Sequence, residues 1–120
     1  MKNNLFDINN VLIIGCGGAG LRAAIEAKLN GLQVKILGKR NKNDAHTVLA
    51  AGGINAAFGN VDPEDNWKYH FIDTYLEGYG LGDPDQIEIM AKESPSYVQE
   101  IDKWGANFKK LENNNFDQRY

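Results

Sequence analysis

The feature that most constrains this chain is a glycine-rich turn that directly follows a short apolar run. Residues 11–14 read Val-Leu-Ile-Ile, and residues 15–20 read Gly-Cys-Gly-Gly-Ala-Gly. A short β-branched run without polar residues is typical of a buried parallel strand. Apolar residues at helical spacing predict a helix over 18–30, and residues 33–37 predict a second strand. The segment 11–37 is therefore predicted to form a β-α-β unit.

Each glycine of the turn has a physical role in the pattern G-x-G-x-x-G. Gly15 permits the tight turn, Gly17 lets a pyrophosphate approach the backbone, and Gly20 lets helix and strand pack closely. The helix amino terminus, at Gly18 and Ala19, offers free N–H groups and the positive end of the helix dipole to phosphates. The pattern predicts a dinucleotide site, and its position between a strand and a helix disfavours the alternative of a glycine turn without a ligand.

The end of the second predicted strand indicates which dinucleotide is expected. NAD-dependent enzymes place an acidic residue there to bind the ribose. Here that position is Gly38, and the next acid, Asp44, lies six residues further on. This disfavours a plain NAD dehydrogenase and favours a dinucleotide held by other contacts, such as FAD.

Composition excludes several classes of protein. The chain has 120 residues, of which 42% are hydrophobic and 24% charged, so it is able to form a core. A net charge of -3 argues against general nucleic-acid binding. The longest uncharged apolar run, residues 11–19, is too short to span a bilayer. A single cysteine, Cys16, excludes an internal disulfide, and no Cys/His cluster has the spacing of a metal site.

The remainder of the chain is predicted to be mainly helical. A helix is expected over residues 63–75, and another begins at Asp83, with Pro84 in its first position, and runs to Met90. Ser94-Pro95 repeats that start signal and predicts a new helix that ends at Gly105. Residues 46–57 show no clear period.

His46 is one of two histidines, and it lies beyond the second predicted strand. In doubly wound folds, ligands bind at the carboxyl ends of the strands, so His46 is expected at the same edge as the glycine turn. The Gly52-Gly53 pair would let the backbone approach a flat ring closely. Taken alone, a loop histidine of this kind is more often structural or solvated. The other histidine, His70, lies on the apolar stripe of its helix and is predicted to be packed rather than catalytic.

These residues together carry a resemblance to the flavoprotein subunits of succinate dehydrogenase and fumarate reductase. The resemblance runs from about residue 9 to the end of the chain. The specific part is His46-Thr47-Val48 with Gly52-Gly53-Ile54, because many flavoproteins share the glycine turn. The other matching positions are Lys39, Gly59-Asn60, Trp67, His70, Asp73-Thr74, Leu81-Gly82-Asp83, Trp104-Gly105 and Asp117-Gln118-Arg119.

The resemblance implies an α/β fold: a Rossmann-like FAD-binding domain in which a β-α-β start of a parallel sheet is followed by helices. It also implies that His46 is joined covalently to the flavin 8α-methyl carbon, a role that suits a neutral imidazole. Ala45, Ala51 and Gly38 depart from the residues common in the family, so polar contacts near the flavin ring and ribose are expected to differ. The implied cofactor site comprises Gly15, Gly17, Gly18, Ala19, Gly20, Gly38, Lys39, His46, Thr47, Gly52 and Gly53.

The resemblance further implies an oxidoreductase that interconverts succinate and fumarate by hydride transfer to or from flavin N5. Electrons would pass to an iron–sulfur subunit and on to a quinone at membrane-anchor subunits, with the protein peripheral on the cytoplasmic face of the inner membrane. No catalytic or metal-binding residue of the family falls within this chain. Residues 1–120 are therefore expected to be the amino-terminal part of an FAD-binding domain, without the capping and carboxy-terminal domains.

Two alternatives stay open at this point. L-aspartate oxidase is a relative that binds FAD without a covalent link, and His46-Thr47 argues against it. The other alternative is a truncated, non-catalytic dinucleotide-binding fragment. Because two strands leave apolar surface uncovered, the isolated chain is expected to be poorly stable.

Overall fold

Two parallel strands and the helix that connects them make up the first part of the fold. In the computed structural model, which describes residues 10–39, 44–51 and 53–118, strand β1 (Asn10–Ile14) pairs in parallel with strand β2 (Gln33–Leu37). Helix α1 (Gly18–Leu29) lies between them in the chain. The register sets Val11 opposite Val34. The predicted β-α-β unit and the α/β class are confirmed, with bounds that agree to one residue.

The strand faces remain largely uncovered within this chain. Leu12, Ile14 and Leu37 are 54%, 81% and 59% exposed. A parallel sheet is normally covered on both faces, which is why such strands are apolar on both sides. The exposure agrees with the expectation that two strands leave apolar surface open.

Local signals explain where α1 ends. Asn30 forms its C-cap, and the Asn30 side-chain amide donates to the backbone carbonyl of Glu26 at 2.9 Å. Gly31 follows with φ +79°, a left-handed conformation that glycine adopts at little cost. Further along the same part of the chain, a single helical turn, α2 (His46–Leu49), forms where the sequence shows no clear period.

Chain contacts divide the molecule into two compact units, residues 1–53 and 54–120. The first helix of the second unit is α3 (Trp67–Glu77), which begins after an Asn66 N-cap. The predicted start at Pro63 is wrong, because Asp62 stabilises a turn there. Its carboxylate accepts a hydrogen bond from the Glu64 N–H at 2.9 Å.

Helix α4 (Pro84–Lys103) begins as predicted, with Asp83 as its N-cap. The predicted second start at Ser94-Pro95 is wrong, because the helix continues through Pro95. Proline has no N–H for the carbonyl four residues earlier, which here belongs to Ala91. The Ser94 hydroxyl donates to that carbonyl at 3.2 Å and so replaces part of the missing bond.

The two helices pack against each other, and the buried residues of the described chain lie on one face of α4. These are Ala91 and Val98, two turns apart. Trp67 is half-buried and has the Lys92 ammonium 4.5 Å from its ring centroid. Trp104 is 51% exposed in this chain.

A small aromatic cluster joins the carboxy-terminal segment to the rest of the second unit. Phe116 lies 4.9 Å from Phe58 and 5.8 Å from Phe108, measured between ring centroids. An antiparallel bridge pairs Phe116 with Lys110 across a turn. Aromatic pairs at these distances stabilise a fold beyond the area that they bury.

Candidate functional site

The glycine turn has the geometry that the fingerprint predicts. Gly15 has φ +117°, and its N–H donates to the Leu37 carbonyl at 2.8 Å, which links the turn to the end of β2. A Cβ atom at Gly20 would lie 2.1 Å from the Gly15 carbonyl oxygen. The close packing of helix against turn therefore requires glycine at position 20.

Gly17 differs from its neighbours because the protein itself does not require glycine there. It is the N-cap of α1, with φ −79° and ψ −175°, a conformation open to any residue. A Cβ atom at this position would meet only the Thr47 hydroxyl, at an ordinary 3.8 Å. The absence of a side chain leaves space over the backbone, as an approaching pyrophosphate needs.

The first N–H group of α1 is not free, in contrast to the expectation from sequence. The Gly18 N–H donates to the hydroxyl oxygen of Thr47 at 3.0 Å, across 29 positions of sequence. Nothing in the local pattern around Thr47 signals this bond, because it depends on how the chain returns after β2. The second residue of α2 is thereby attached to the amino terminus of α1.

His46 is the first residue of α2, and its side chain is exposed. Because consecutive Cα atoms are about 3.8 Å apart, the bond from Gly18 to Thr47 also holds the His46 backbone beside the dinucleotide turn. The exposed ring is accessible from solvent. The structure thus brings together the glycine turn, Thr47 and His46, which the sequence placed at one edge.

For the other predicted site residues, the structure gives their position in the chain, their exposure and, at Gly53, the backbone conformation. Gly38 and Lys39 follow directly after β2 and are exposed. Because the Gly15 N–H donates to the carbonyl of Leu37, the last residue of β2, these two residues lie at the same edge of the sheet as Gly15. Gly53 has φ +100° and open space where a Cβ atom would lie. Ala19 is exposed in the first turn of α1. Gly52 lies outside the described residues.

One pKa shift accompanies α1. Glu26 receives hydrogen bonds from the Arg22 guanidinium at 2.9 Å and from the Asn30 amide at 3.1 Å. These bonds, the Arg22 bond first, and the charge of Arg22 lower the pKa of the Glu26 carboxyl below its ordinary value of 4.5. The group is exposed and lies one turn from the carboxyl end of the helix, where it stabilises α1 locally.

The second unit contains an open cleft of about 1030 Å³. Its lining includes the carboxylates of Asp62, Glu64, Asp65, Asp73 and Glu77 but no Lys or Arg. Such a lining repels anions, so this cleft is unsuited to a dicarboxylate.

His70 also lines the cleft but has a structural role. Its Nδ1 lies 3.4 Å from the Ser94 hydroxyl, between α3 and α4, and its backbone carbonyl accepts from Thr74 at 2.7 Å. This confirms the prediction of a packed, hydrogen-bonded histidine.

Gln118 is a residue whose role sequence reasoning missed. Its amide donates to the Ala56 carbonyl at 2.9 Å and to Asp65 at 3.3 Å, and it accepts from the Asn60 N–H at 3.0 Å. The partners lie up to 62 positions away, so no local pattern reveals them.

Two further findings concern the described residues. In that part of the chain, no group of three or more His, Cys, Asp or Glu side chains is arranged to hold a metal ion. None of the helices formed by these residues combines the length and the hydropathy that a membrane span requires.

Comparisons of the sequence with a family profile and with known proteins agree on one family. The sequence profile described as "FAD binding domain" matches residues 10–120. The chain is 41% identical over 110 residues to the mitochondrial succinate dehydrogenase flavoprotein subunit of Oryza sativa, covering 92% of this chain and 17% of that protein. It is 41% identical over 120 residues to a subunit of the fumarate reductase (CoM/CoB) of Methanothermobacter marburgensis, covering 99% of this chain and 22% of that protein.

A solved structure agrees with these relatives. The apo Sdh1 complex of Mycobacterium smegmatis contains a chain that matches with a TM-score of 0.86 and 42% identity, over 92% of this chain and 19% of that one. The present chain thus spans about a fifth of the length of the proteins that it matches. With the profile match over nearly its whole length, the chain belongs to the FAD-binding domain family and is similar to the flavoprotein subunits of succinate dehydrogenase and fumarate reductase.

Proposed function

We propose that this chain supplies part of the FAD site of an oxidoreductase that interconverts succinate and fumarate. The single observation that carries the proposal is the attachment of the His46-Thr47 turn to the amino terminus of α1. That contact joins the specific part of the family pattern to the dinucleotide turn. The names of the relatives support the substrate pair.

The residues present fit an FAD molecule. Gly17 leaves an open approach to the backbone at the positive end of α1, which suits the pyrophosphate. Gly15, Gly18, Ala19 and Gly20 shape the same turn. Gly38 and Lys39 lie at the end of β2, where Lys39 adds a positive charge beside an anionic cofactor. Gly53, with no neighbour in the space of a Cβ atom, suits the close approach of a flat ring, and Gly52 is assigned to the same role.

We propose that His46 holds the flavin covalently. A bond would form between an imidazole nitrogen and the flavin 8α carbon as one C–H bond of the 8α-methyl group and the imidazole N–H bond are lost, and the two electrons and two protons would pass to the flavin ring, leaving it reduced. The exposed imidazole has a ring nitrogen able to act as a nucleophile. Bound FAD supplies the hydride acceptor and donor of the reaction. The role of this chain is to bind the cofactor and fix its position, while substrate binding and proton transfer belong to residues outside it.

The wider assignment follows the relatives. Succinate and fumarate are the proposed substrates, and an iron–sulfur subunit and membrane-anchor subunits are the proposed partners. The proposed location is the cytoplasmic face of the inner membrane, with contact made through those partners. The departure at Gly38 removes a side chain near the ribose, so backbone contacts are proposed to hold that part of the cofactor.

The test compares His46→Ser with His70→Ser in the protein as its gene encodes it. Flavin fluorescence on a denaturing gel is expected for the wild type and for His70→Ser, and it should be lost in His46→Ser. His70 is a suitable control because it is engaged with Ser94 in the other unit. Covalent flavin that persists in His46→Ser refutes the assignment. A wild type that holds FAD only non-covalently and oxidises L-aspartate rather than succinate refutes the proposed substrate.

A further inference from the structure

We propose that Thr47 is a positioning residue for His46, and that position 18 carries glycine in order to admit Thr47. The inference rests on the proposed covalent role of His46 and adds the contact that aligns it. Position 18 is one of the variable positions of the G-x-G-x-x-G pattern, and the glycine found there is explained by a neighbouring side chain of the protein rather than by the cofactor.

A side chain at position 18 would be crowded by Thr47. Gly18 is the first residue of α1, and its backbone conformation does not require glycine. A Cβ atom added there would lie 3.1 Å from the Thr47 methyl carbon and 3.2 Å from its hydroxyl oxygen. Both distances are shorter than ordinary contacts. The neighbouring Gly17 has no such conflict, since its nearest contact would be 3.8 Å.

The Thr47 hydroxyl group forms a hydrogen bond with the first N–H of α1. The Thr47 oxygen accepts the Gly18 N–H at 3.0 Å, which satisfies a helix N–H that has no partner within the helix. A hydroxyl that accepts one bond retains its own hydrogen to donate. Thr47 is therefore able to present an O–H donor beside the helix amino terminus while it remains attached to Gly18.

The contact between Thr47 and Gly18 also stabilises the turn that carries His46. Helix α2 has only four residues, and its turn is closed by bonds from the Val48 and Leu49 N–H groups to the Ala45 carbonyl. A single turn is marginal without tertiary contacts. The Thr47 bond is such a contact. Its loss should therefore make the orientation of the adjacent His46 ring less restricted, and it should weaken cofactor binding to a smaller extent.

The experiment is a double-mutant cycle in the protein as its gene encodes it. The variants are Thr47→Ser, which keeps the hydroxyl and removes the methyl group, Gly18→Ala, and the pair combined. Thr47→Val keeps the shape and removes the hydroxyl, and Thr74→Val serves as a matched control because its hydroxyl bonds within α3. Two quantities are measured: the rate of covalent flavin attachment to the apoprotein after addition of FAD, and the Kd for FAD in the His46→Ser background.

We expect Thr47→Val and Gly18→Ala to slow attachment by about tenfold or more, the factor that corresponds to one lost hydrogen bond. Their Kd for FAD should change less than the rate. Thr47→Ser should remain near wild type. It should also restore part of the rate in Gly18→Ala, because it removes the methyl group, the closer of the two Thr47 atoms that the new alanine side chain would meet. Thr74→Val should leave both quantities unchanged.

Additive effects of Gly18→Ala and Thr47→Ser, with no rescue, would overturn the inference. A rate in Thr47→Val equal to that of the wild type would overturn it as well. Failure of the proposed function has a different signature, namely covalent flavin in His46→Ser. If Thr47→Val does not fold, the cycle of Gly18→Ala with Thr47→Ser still decides the question.

Discussion

The side-chain oxygen of Gln118 accepts a hydrogen bond from the backbone N–H of Asn60 at 3.0 Å, across 58 positions of sequence. The nitrogen of the same amide donates to the Ala56 carbonyl at 2.9 Å and to the Asp65 carboxylate at 3.3 Å. One partly buried amide thus satisfies three groups from a segment without helix or strand. Such a segment has no other regular source of hydrogen bonds.

Replacing Gln118 by Ala is expected to lower the free energy of unfolding by about 2 kcal/mol, because several partly buried polar groups lose their partner. Urea unfolding followed by circular dichroism measures the change. Gln99→Ala is the matched control, since Gln99 is exposed on α4 and should give a change within about 0.5 kcal/mol. Equal effects of the two substitutions would show that the Gln118 amide contributes nothing specific.

Ser94 and Ser96 flank Pro95 and give a second paired test. Ser94→Ala should destabilise the protein by about 1 kcal/mol, because the Ala91 carbonyl loses the hydroxyl that replaces the missing proline N–H. Ser96→Ala, whose hydroxyl bonds the Glu93 carbonyl at an exposed position, should have little effect. Thermal unfolding of both variants measures the difference.

Replacing Pro95 tests whether the Ser94 hydroxyl compensates for the missing proline N–H. In a Pro95→Ala background, the new N–H is able to bond the Ala91 carbonyl, so Ser94→Ala should cost less there than in the wild type. An unchanged cost would mean that Ser94 acts through His70, 3.4 Å away, rather than through the carbonyl.

Replacing Gly20 by alanine is expected to reduce mainly the stability of the fold, and replacing Gly17 by alanine is expected to reduce mainly the affinity for FAD. Gly20→Ala places a Cβ atom 2.1 Å from the Gly15 carbonyl oxygen, so it should destabilise the fold by about 3 kcal/mol or more. Gly17→Ala meets no close protein atom, so it should cost no more than about 1 kcal/mol of stability, because alanine is a poorer N-cap than glycine, while raising the Kd for FAD at least about tenfold. Urea unfolding and FAD titration separate the two outcomes. Unaltered FAD binding by Gly17→Ala would contradict the proposed pyrophosphate approach.

The lowered pKa of Glu26 makes a prediction about pH. Because the folded-state pKa is depressed, the stabilisation is fully present above the unfolded-state pKa near 4.5 and is lost as pH falls through the folded-state value. The stability difference between the wild type and Glu26→Gln should therefore shrink as pH is lowered below about 4.5. High salt should also reduce the difference at neutral pH, since the group is exposed. A difference that stays constant from neutral pH to well below the ordinary carboxyl pKa would contradict the Arg22 interaction as its cause.

Short-range patterns predicted several elements of the fold. The β-branched run ending at Ile14, the glycine spacing and the Asp83-Pro84 start signal each act over a few residues, where backbone sterics and capping decide the outcome. Strand β1 and helix α1 appear with nearly the expected bounds, and α4 begins at the expected residue. The same local reasoning failed at Pro63 and at Ser94-Pro95, where side-chain hydrogen bonds favour a turn and a continuous helix respectively.

By itself, the sequence determined the β-α-β unit, the dinucleotide turn and the presence of a histidine at the edge where a cofactor is expected. Only the tertiary structure decided that Thr47 occupies the first N–H of α1, that Gly18 makes room for it, and that Gln118 secures the segment after Gly53. The physical reason is distance along the chain. Periodicity and capping act within a few residues, whereas these contacts join groups 29 to 62 positions apart and exist only after the elements have packed.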